Sequence, residues 1–388
     1  MATIGDPLRR RPAPAPLNVR AIGLQLAAVG LVLTLVLLVV ATTIGNLTAR
    51  GIPVGFDFLT SRAGFTISES LLNYSPNDSN LWAIAVGVGN TIFASAVVIL
   101  ISTLSGTLLG VARLSDNPLV SALARVWIET ARNTPLLLLL LFVYTIWWAM
   151  PADTGRALLP GVYASMRGIV IPWFELPWSA PALGFGAAMA GLAFFFAKRA
   201  AALTQARTGR RPPYLLVAMI AVGALVFVAG IFDGAAIDWP RQINGRLSGG
   251  LTLTPETATI LLGLIFYTTG FIAEIVRSGI NAVPRGQWEA ARALGLSAGR
   301  VLRLVIIPQM MRVIVPPMTS QYINVVKNST LALAVGYSDF MVVMGTVINK
   351  TSRAVEGTAI IIIVYLVINV SLSAVMNAYN RRVAIKER

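Results

Sequence analysis

The sequence predicts an all-α membrane protein of about eight transmembrane helices, and three observations predict it. Of 388 residues, 56% are hydrophobic and only 12% charged, with a mean hydropathy of +0.74, whereas soluble domains are about 45–50% apolar. Eight apolar stretches have, or nearly have, the roughly 20 residues that a bilayer core of about 30 Å requires. They fall near 21–43, 84–112, 134–150, 181–197, 213–232, 255–277, 309–331 and 356–379. The third observation is charge asymmetry. With the N-terminus inside, 22 of the 31 Lys and Arg lie in inside segments, 8 lie outside, and Lys327 stays in the membrane. Lys and Arg concentrate on the cytoplasmic side of membrane proteins, so both termini are expected in the cytoplasm. The same asymmetry accounts for a net charge of +15 without a nucleic-acid partner, which would want its basic residues gathered on one face.

Composition also removes whole classes of chemistry. Cysteine and histidine are both absent, which excludes thiol chemistry, disulfides, Cys/His metal sites and the commonest general base. With few carboxylates in the apolar segments, the familiar hydrolase and metalloenzyme constellations cannot be assembled. No catalytic residue and no metal ligand is expected.

Taken in order, the first apolar run follows RRRPAPAP and is longer than the 7–15 residues of a signal-peptide core, so a retained anchor is expected. The turn-rich stretch 44–81 is read as outside. Gly106 and Gly110 give 84–112 a GxxxG packing face. Residues 113–132 form an inside loop, after which Arg132, Thr134 and Pro135 begin the 134–150 helix, proline being favoured at a helix start. The outside loop 151–180 carries Pro151, Pro160, Pro172 and Pro177 with Trp173 and Trp178, a turn-rich, interface-anchoring composition. Helices 181–197 and 213–232 flank a basic inside loop. The helix at 255–277 ends in Glu274 and Arg277, read as a local i,i+3 pair or alternatively as a gate. In 309–331, Pro316 and Pro317 are tolerable where neighbours satisfy the freed backbone groups.

The longest inside connection late in the chain is 278–308, SGINAVPRGQWEAARALGLSAGRVLRLVIIP. Pro284 and Gly286 break the preceding helix, Gln287 to Leu294 form a short one, and Gly295 permits a turn before a second. The small Ala290 and Ala291 offer a surface that another protein can approach, and Glu289 and Arg292 give it charge. Glu289-Ala290-Ala291, three residues, Gly295, nine residues and Val305-Ile306-Ile307-Pro308 together resemble the coupling loop, or EAA motif, of the inner-membrane permease subunits of ABC importers. Ile307 stands where leucine is usual. The resemblance implies that Gly286, Gln287, Glu289, Ala290, Ala291, Gly295 and Pro308 form a loop that docks on a cytoplasmic ATPase.

Segments 89–115, 132–144, 269–297 and 302–333 extend the likeness to the polar-amino-acid (histidine/glutamine-type) branch, with Asn133 where glycine is usual. A type I ABC importer permease core of five helices is thereby implied at 84–150 and 255–388. An insertion at 151–254 with two extra helices interrupts it. Residues 1–83 add a basic cytoplasmic N-terminus, an extra helix and a periplasmic loop. The stretch GIPVGFDFLTSRAGFTISESL is similar to the longer subunits of broad-specificity L-amino-acid permeases. The resemblance implies import across the bacterial inner membrane, with a cytoplasmic ATPase dimer, a second permease subunit (heterodimer favoured over homodimer) and a periplasmic amino-acid-binding protein as partners. No G-x-x-x-x-G-K-[ST] and no Gly-Lys dipeptide occur, so the phosphate cradle is missing. ATP is expected on the partner, and no cofactor on this subunit.

Within 309–331, Gln321, Asn324 and Asn328 fall at i, i+3 and i+7 on one helical face, joined by Lys327, Thr319, Ser320, Ser329 and Thr330. Polar residues at membrane depth line a cavity or glue helices together. The first reading makes this face a translocation path whose amides recognise the zwitterionic ends of an amino acid. The alternative function is an ion-coupled secondary carrier, a class often built from related halves; no related halves are found here.

Overall fold

In the computed structural model, residues 19–51, 54–152, 154–175, 199, 205, 236–243 and 246–383 are described. The described residues are mostly helical, 71%. Among the described residues, five helices are long and apolar enough to cross a membrane, or six if one sharply bent pair forms a single span. The helices expected at 181–197 and 213–232 lie outside the described residues.

Helix α1 (Val19–Ala49) is apolar all round, and no residue of its spanning window is buried. The bundle begins with α2 (Asn80–Ala112), whose Ser79 cap accepts from the Trp82 N–H at 3.2 Å. Its main neighbour is α5 (Pro255–Asn281), started by Thr254, which accepts from the Thr257 N–H at 3.2 Å, with Pro255 in the first turn. The helices touch where the GxxxG reading placed a packing face. A Cβ on Gly106 would lie 2.6 Å from Ile272 Cγ2, and one on Gly110 would lie 2.6 Å from the Ala273 carbonyl. Only glycine permits that approach.

The helix expected at 134–150 is present as the second arm of a sharply bent pair. Helix α3 (Pro118–Asn133) occupies what composition suggested was a loop, and α4 (Leu136–Trp148) follows at 106°. Asn117 caps α3, its side chain accepting from Leu119 N and Val120 N at 3.0 and 3.3 Å. The break has a covalent cause: a residue before proline is pushed out of the α region, and Thr134 and Pro135 sit extended at ψ 125° and 127°. Helix α3 buries Ala124, Ile128 and Ala131, with Ala131 closing on Gly270 at the middle of α5.

Between α4 and α5 lies a small β lobe that the sequence reading did not anticipate. It comprises β1 (Arg156–Leu159), β2 (Val162–Ser165), β3 (Gly168–Ile171), β4 (Trp173–Glu175), β5 (Ala236–Asp238), β6 (Arg241–Ile243), β7 (Arg246–Ser248) and β8 (Leu251–Leu253). A four-stranded sheet runs β1-β2-β3-β8, and β4–β5 and β6–β7 pair separately. Antiparallel pairing of Ile169 with Leu253 and Ile171 with Leu251 brings the first and last parts of the lobe together. Trp147, Ala164 and Ala258 seat the lobe on α4 and α5.

The remaining helices are α6 (Arg285–Ala293), α7 (Ala298–Val301), α8 (Ile307–Asn328), α9 (Phe340–Thr351) and α10 (Ala354–Val383). A π-helical segment (Leu302–Ile306) leads into α8, and a 3-10 turn (Ser329–Ala334) leaves it. Helix α9 falls in a stretch read as connection and is too short to span. At its end of the bundle, residues 54–79 are sewn onto the core. Arg353 donates to both Asp57 oxygens at 2.8 and 3.1 Å, Gly55 N to Glu356 at 2.6 Å, and Asn80 to the Phe58 carbonyl at 2.8 Å. Phe58, Ile84, Phe340, Met344 and Val347 form the apolar cluster beneath.

Candidate functional site

Two regions carry the residues singled out by sequence. The first is the hairpin of α6 and α7, which has a core of its own. Val283, Ala291, Val301 and Ile306 are buried together, with Trp288, Leu296, Val305 and Met310 around them. Apolar residues at 288, 291 and 296 fold inward because the turn between the short helices closes tightly. The turn depends on Gly295 at φ +73°, a left-handed conformation that costs a side-chain-bearing residue about 1–2 kcal/mol. The Gly295 N–H reaches the Arg292 carbonyl at 2.9 Å and the Leu296 N–H reaches that of Ala291 at 3.3 Å.

Gly286, Gln287, Glu289, Ala290 and Gly295 are exposed, and Leu294 at the tip is 80% exposed. Ala291 is a correction to the reading that paired it with Ala290 as a contact surface. It is 2% exposed and packs beneath α6, because it lies on the face that meets Val301. Pro308 sits in the first turn of α8, half-buried, just beyond the π-helical segment. Gln309 donates to Gln287 at 3.3 Å, so the hairpin and the start of α8 are joined by a side-chain bond as well as by Met310.

The second region is α8. Gln321, Asn324 and Asn328 share a helical face, but not one environment. Gln321 is buried at 8%, Asn324 is exposed, and Asn328 is half-buried. Ser329 donates to the Val326 carbonyl at 2.9 Å and Thr330 to that of Lys327 at 2.7 Å; both hydroxyls are satisfied within their own turn. The exposed stripe runs instead through Val313, Pro317, Ser320, Asn324 and Lys327, spaced three or four apart as one helix face requires. Lys327 has no ion pair among the described residues.

On α5, Glu274 and Arg277 form the expected local pair, with Arg277 Nη2 and Nε donating to the two carboxylate oxygens at 2.6 and 2.9 Å. Sequence reasoning missed that Arg132, taken as a helix start, comes to the same carboxylate at 3.9 Å. The available signal was the proline two residues beyond Thr134's neighbour Asn133, which breaks the span and leaves Arg132 at its elbow.

Comparison with known proteins gives a consistent picture. The family described as "Binding-protein-dependent transport system inner membrane component" matches residues 182–385, just over half the chain. The chain is similar to "Putative amino-acid ABC transporter permease protein YhdX" of Escherichia coli K12, 41% identical over 96% of both chains. It is 37% identical to the general L-amino acid transport system permease protein AapQ of Rhizobium johnstonii, over 95% of this chain and 93% of that one. To the glutamate/glutamine/aspartate/asparagine transport system permease protein BztB of Rhodobacter capsulatus it is 35% identical, over 88% of each.

Proposed function

This chain belongs to the binding-protein-dependent transport system inner membrane components, and from that premise we propose that it carries polar L-amino acids inward, coupled through α6 and α7 to a separate ATPase. It is a multi-pass ABC importer permease, a transport subunit. The observation that supports the coupling role is the hairpin's construction: an exposed polar face and an exposed Leu294 on a small buried core of Val283, Ala291, Val301 and Ile306. Such a unit moves as one body. Closure of an ATPase dimer under it is passed through Gln287–Gln309 and Met310 to α8, the helix bearing the stripe of Ser320, Asn324 and Lys327.

The amino-acid substrate is supported by what the relatives are named for and by the stripe's amide and cation. ATP is bound and hydrolysed by the partner, and this subunit holds no cofactor. Both termini and the α6–α7 hairpin lie in the cytoplasm, and the β lobe and residues 54–79 lie outside, where a separate binding protein delivers substrate. One ATPase subunit per hairpin requires two permease subunits, a sister chain being favoured over a second copy. The domain division at 83/84, 150/151 and 254/255 follows the same reading, with the insertion as an addition to the core.

Because the chain has no cysteine, Ala293→Cys gives a single reporter. Co-expressed with ATPase subunits carrying single cysteines in their docking grooves, it forms a disulfide whose yield changes with ATP. Absence of any cross-link at Ala293 or Leu294 in an actively transporting complex would refute the coupling role. Uptake that follows a proton or sodium gradient without the ATPase would establish the carrier instead.

A further inference from the structure

Where α3, α5 and α8 converge there is a cavity of about 270 Å³, lined among others by Arg132, Phe271, Glu274, Ser278, Val313 and Pro317. It is smaller than the roughly 300–1,000 Å³ pockets that take drug-sized ligands and large enough for several waters at about 30 Å³ each. Its size is that of one small solute. Glu274 lies seven residues from the α6 end of α5, about 10 Å along the helix axis, so the cavity sits in the half of the bundle nearest the hairpin.

Its polar groups are unevenly satisfied. Arg277 is committed to Glu274 through two short bonds at 2.6 and 2.9 Å. The Arg132 side chain is 43% exposed, and its guanidinium stands 5.8 Å over the Phe271 ring and approaches Glu274 no closer than 3.9 Å, beyond hydrogen-bond range. None of its five N–H donors has a hydrogen-bond acceptor among the described residues. The α8 wall offers the opposite polarity. Pro317 has no N–H, so the Val313 carbonyl loses its i+4 donor, and the tandem Pro316 does the same to Arg312. The cavity thus joins guanidinium donors that have no acceptor among the described residues to Glu274 and to Val313, whose carbonyl lacks the helix donor a non-proline residue at 317 would supply. Arg132 and Glu274 are the charged groups lining it, and Arg277 holds the same carboxylate from outside the lining.

Ionisable groups at membrane depth mark a solute path far more often than a lipid contact. The cavity also continues a track already described: Val313 and Pro317 are the lower members of the exposed stripe that passes Ser320 and Asn324 to Lys327, about 21 Å along α8. We propose that this cavity is an exit-side binding site for the zwitterionic head of the transported amino acid, the carboxylate held by Arg132 and the ammonium by the Val313 carbonyl beside Glu274. The proposal rests on the reading of the chain as an amino-acid permease. It assigns Arg132 a substrate contact and leaves Arg277 a positioning residue that fixes the Glu274 carboxylate.

The test uses the complete transporter, permeases and ATPase together, in proteoliposomes. Ser278→Cys places a thiol at the rim of the cavity, and its alkylation by a membrane-permeant maleimide is read by the mass of this subunit. L-glutamine, L-glutamate and L-alanine share the same head and slow the alkylation. L-glutaminamide lacks the carboxylate, N-acetyl-L-glutamine lacks the ammonium, and neither slows it. Adding Arg132→Gln raises the concentration needed for half-protection about ten- to a hundredfold, as loss of one charge-assisted bond predicts, and Arg132→Lys recovers part of that loss. Val313→Cys serves as a second reporter should Ser278→Cys fail to assemble. Alkylation that ignores all three amino acids, or slows equally with the amide, overturns the site. ATP-driven uptake on the same vesicles separates the two failures. Uptake without protection removes the site and leaves the permease reading standing; no ATP-driven uptake of any amino acid removes both.

Discussion

The α6–α7 hairpin and the α8 stripe are both exposed and both polar, yet exposure means different things in the two. In the hairpin, apolar side chains other than the exposed Leu294 at the tip turn inward onto Ala291 and polar ones face out, the ordinary arrangement for a segment in water. In α8, a helix within a 37-residue candidate span, Ser320, Asn324 and Lys327 face outward where the surroundings of a lone subunit would be lipid. A desolvated lysine there is costly, so that face is built to meet a partner or a water-filled path. A polar residue on the surface therefore reports function only once the solvent around it is known.

That contrast can be broken by substitution. The largest effect is expected from Ala291→Arg, which forces a charge into the hairpin's four-residue core. Charges buried without a partner are among the most damaging of changes, so ATP-driven uptake should fall at least tenfold while the bundle still inserts, as read by uptake and by membrane abundance. Unchanged uptake would mean that the hairpin has no fixed core. Next is Gly110→Val, which drives a branched side chain into the Ala273 carbonyl. Overpacking costs about 1–3 kcal/mol, and thermal unfolding in detergent should move down by several degrees.

Arg353→Ala leaves Asp57 without its two bonds of 2.8 and 3.1 Å. A hydrogen bond to a charged group contributes about 1.5–3 kcal/mol when buried; Asp57 is largely exposed, which places the loss at the lower end, and faster proteolysis of residues 54–79 is the readout. The smallest structural effect belongs to Asn324→Ala, which should leave thermal stability unchanged and alter the KM for uptake. Gln321→Ala, one turn away and buried, should do the reverse. If both variants changed stability alone, the stripe would be a helix-packing seam and its comparison with the hairpin would lose its point.

Much of this was legible from the residues. The hairpin was readable because its signals are local: Pro284 ends one helix, Gly295 turns the chain, and the EAA spacing lies within 20 residues. Glu274 and Arg277 paired as i,i+3 neighbours for the same reason. Helix α3 was hidden because its amphipathic pattern resembles a polar connection. The break at Thr134–Pro135 was read as a helix start because proline serves at a first turn as readily as at a kink. The β lobe was hidden too, since β3 and β8 lie far apart in the sequence, and no local pattern announces such a pairing.

What the sequence by itself determined is the membrane class, the candidate spans outside 151–254, the hairpin and its family motif, because composition, periodicity and short motifs are properties of neighbouring residues. Only the tertiary structure decided that Ala291 lies under the hairpin while Ala290 lies on it, that Gln321 points into the bundle while Asn324 points out, and that Arg132 meets Glu274 across 142 positions. Those outcomes depend on which helices touch. Contact between α3, α5 and α8 is fixed by glycines that allow close approach and prolines that bend the chain, and no single segment contains both halves of such a contact.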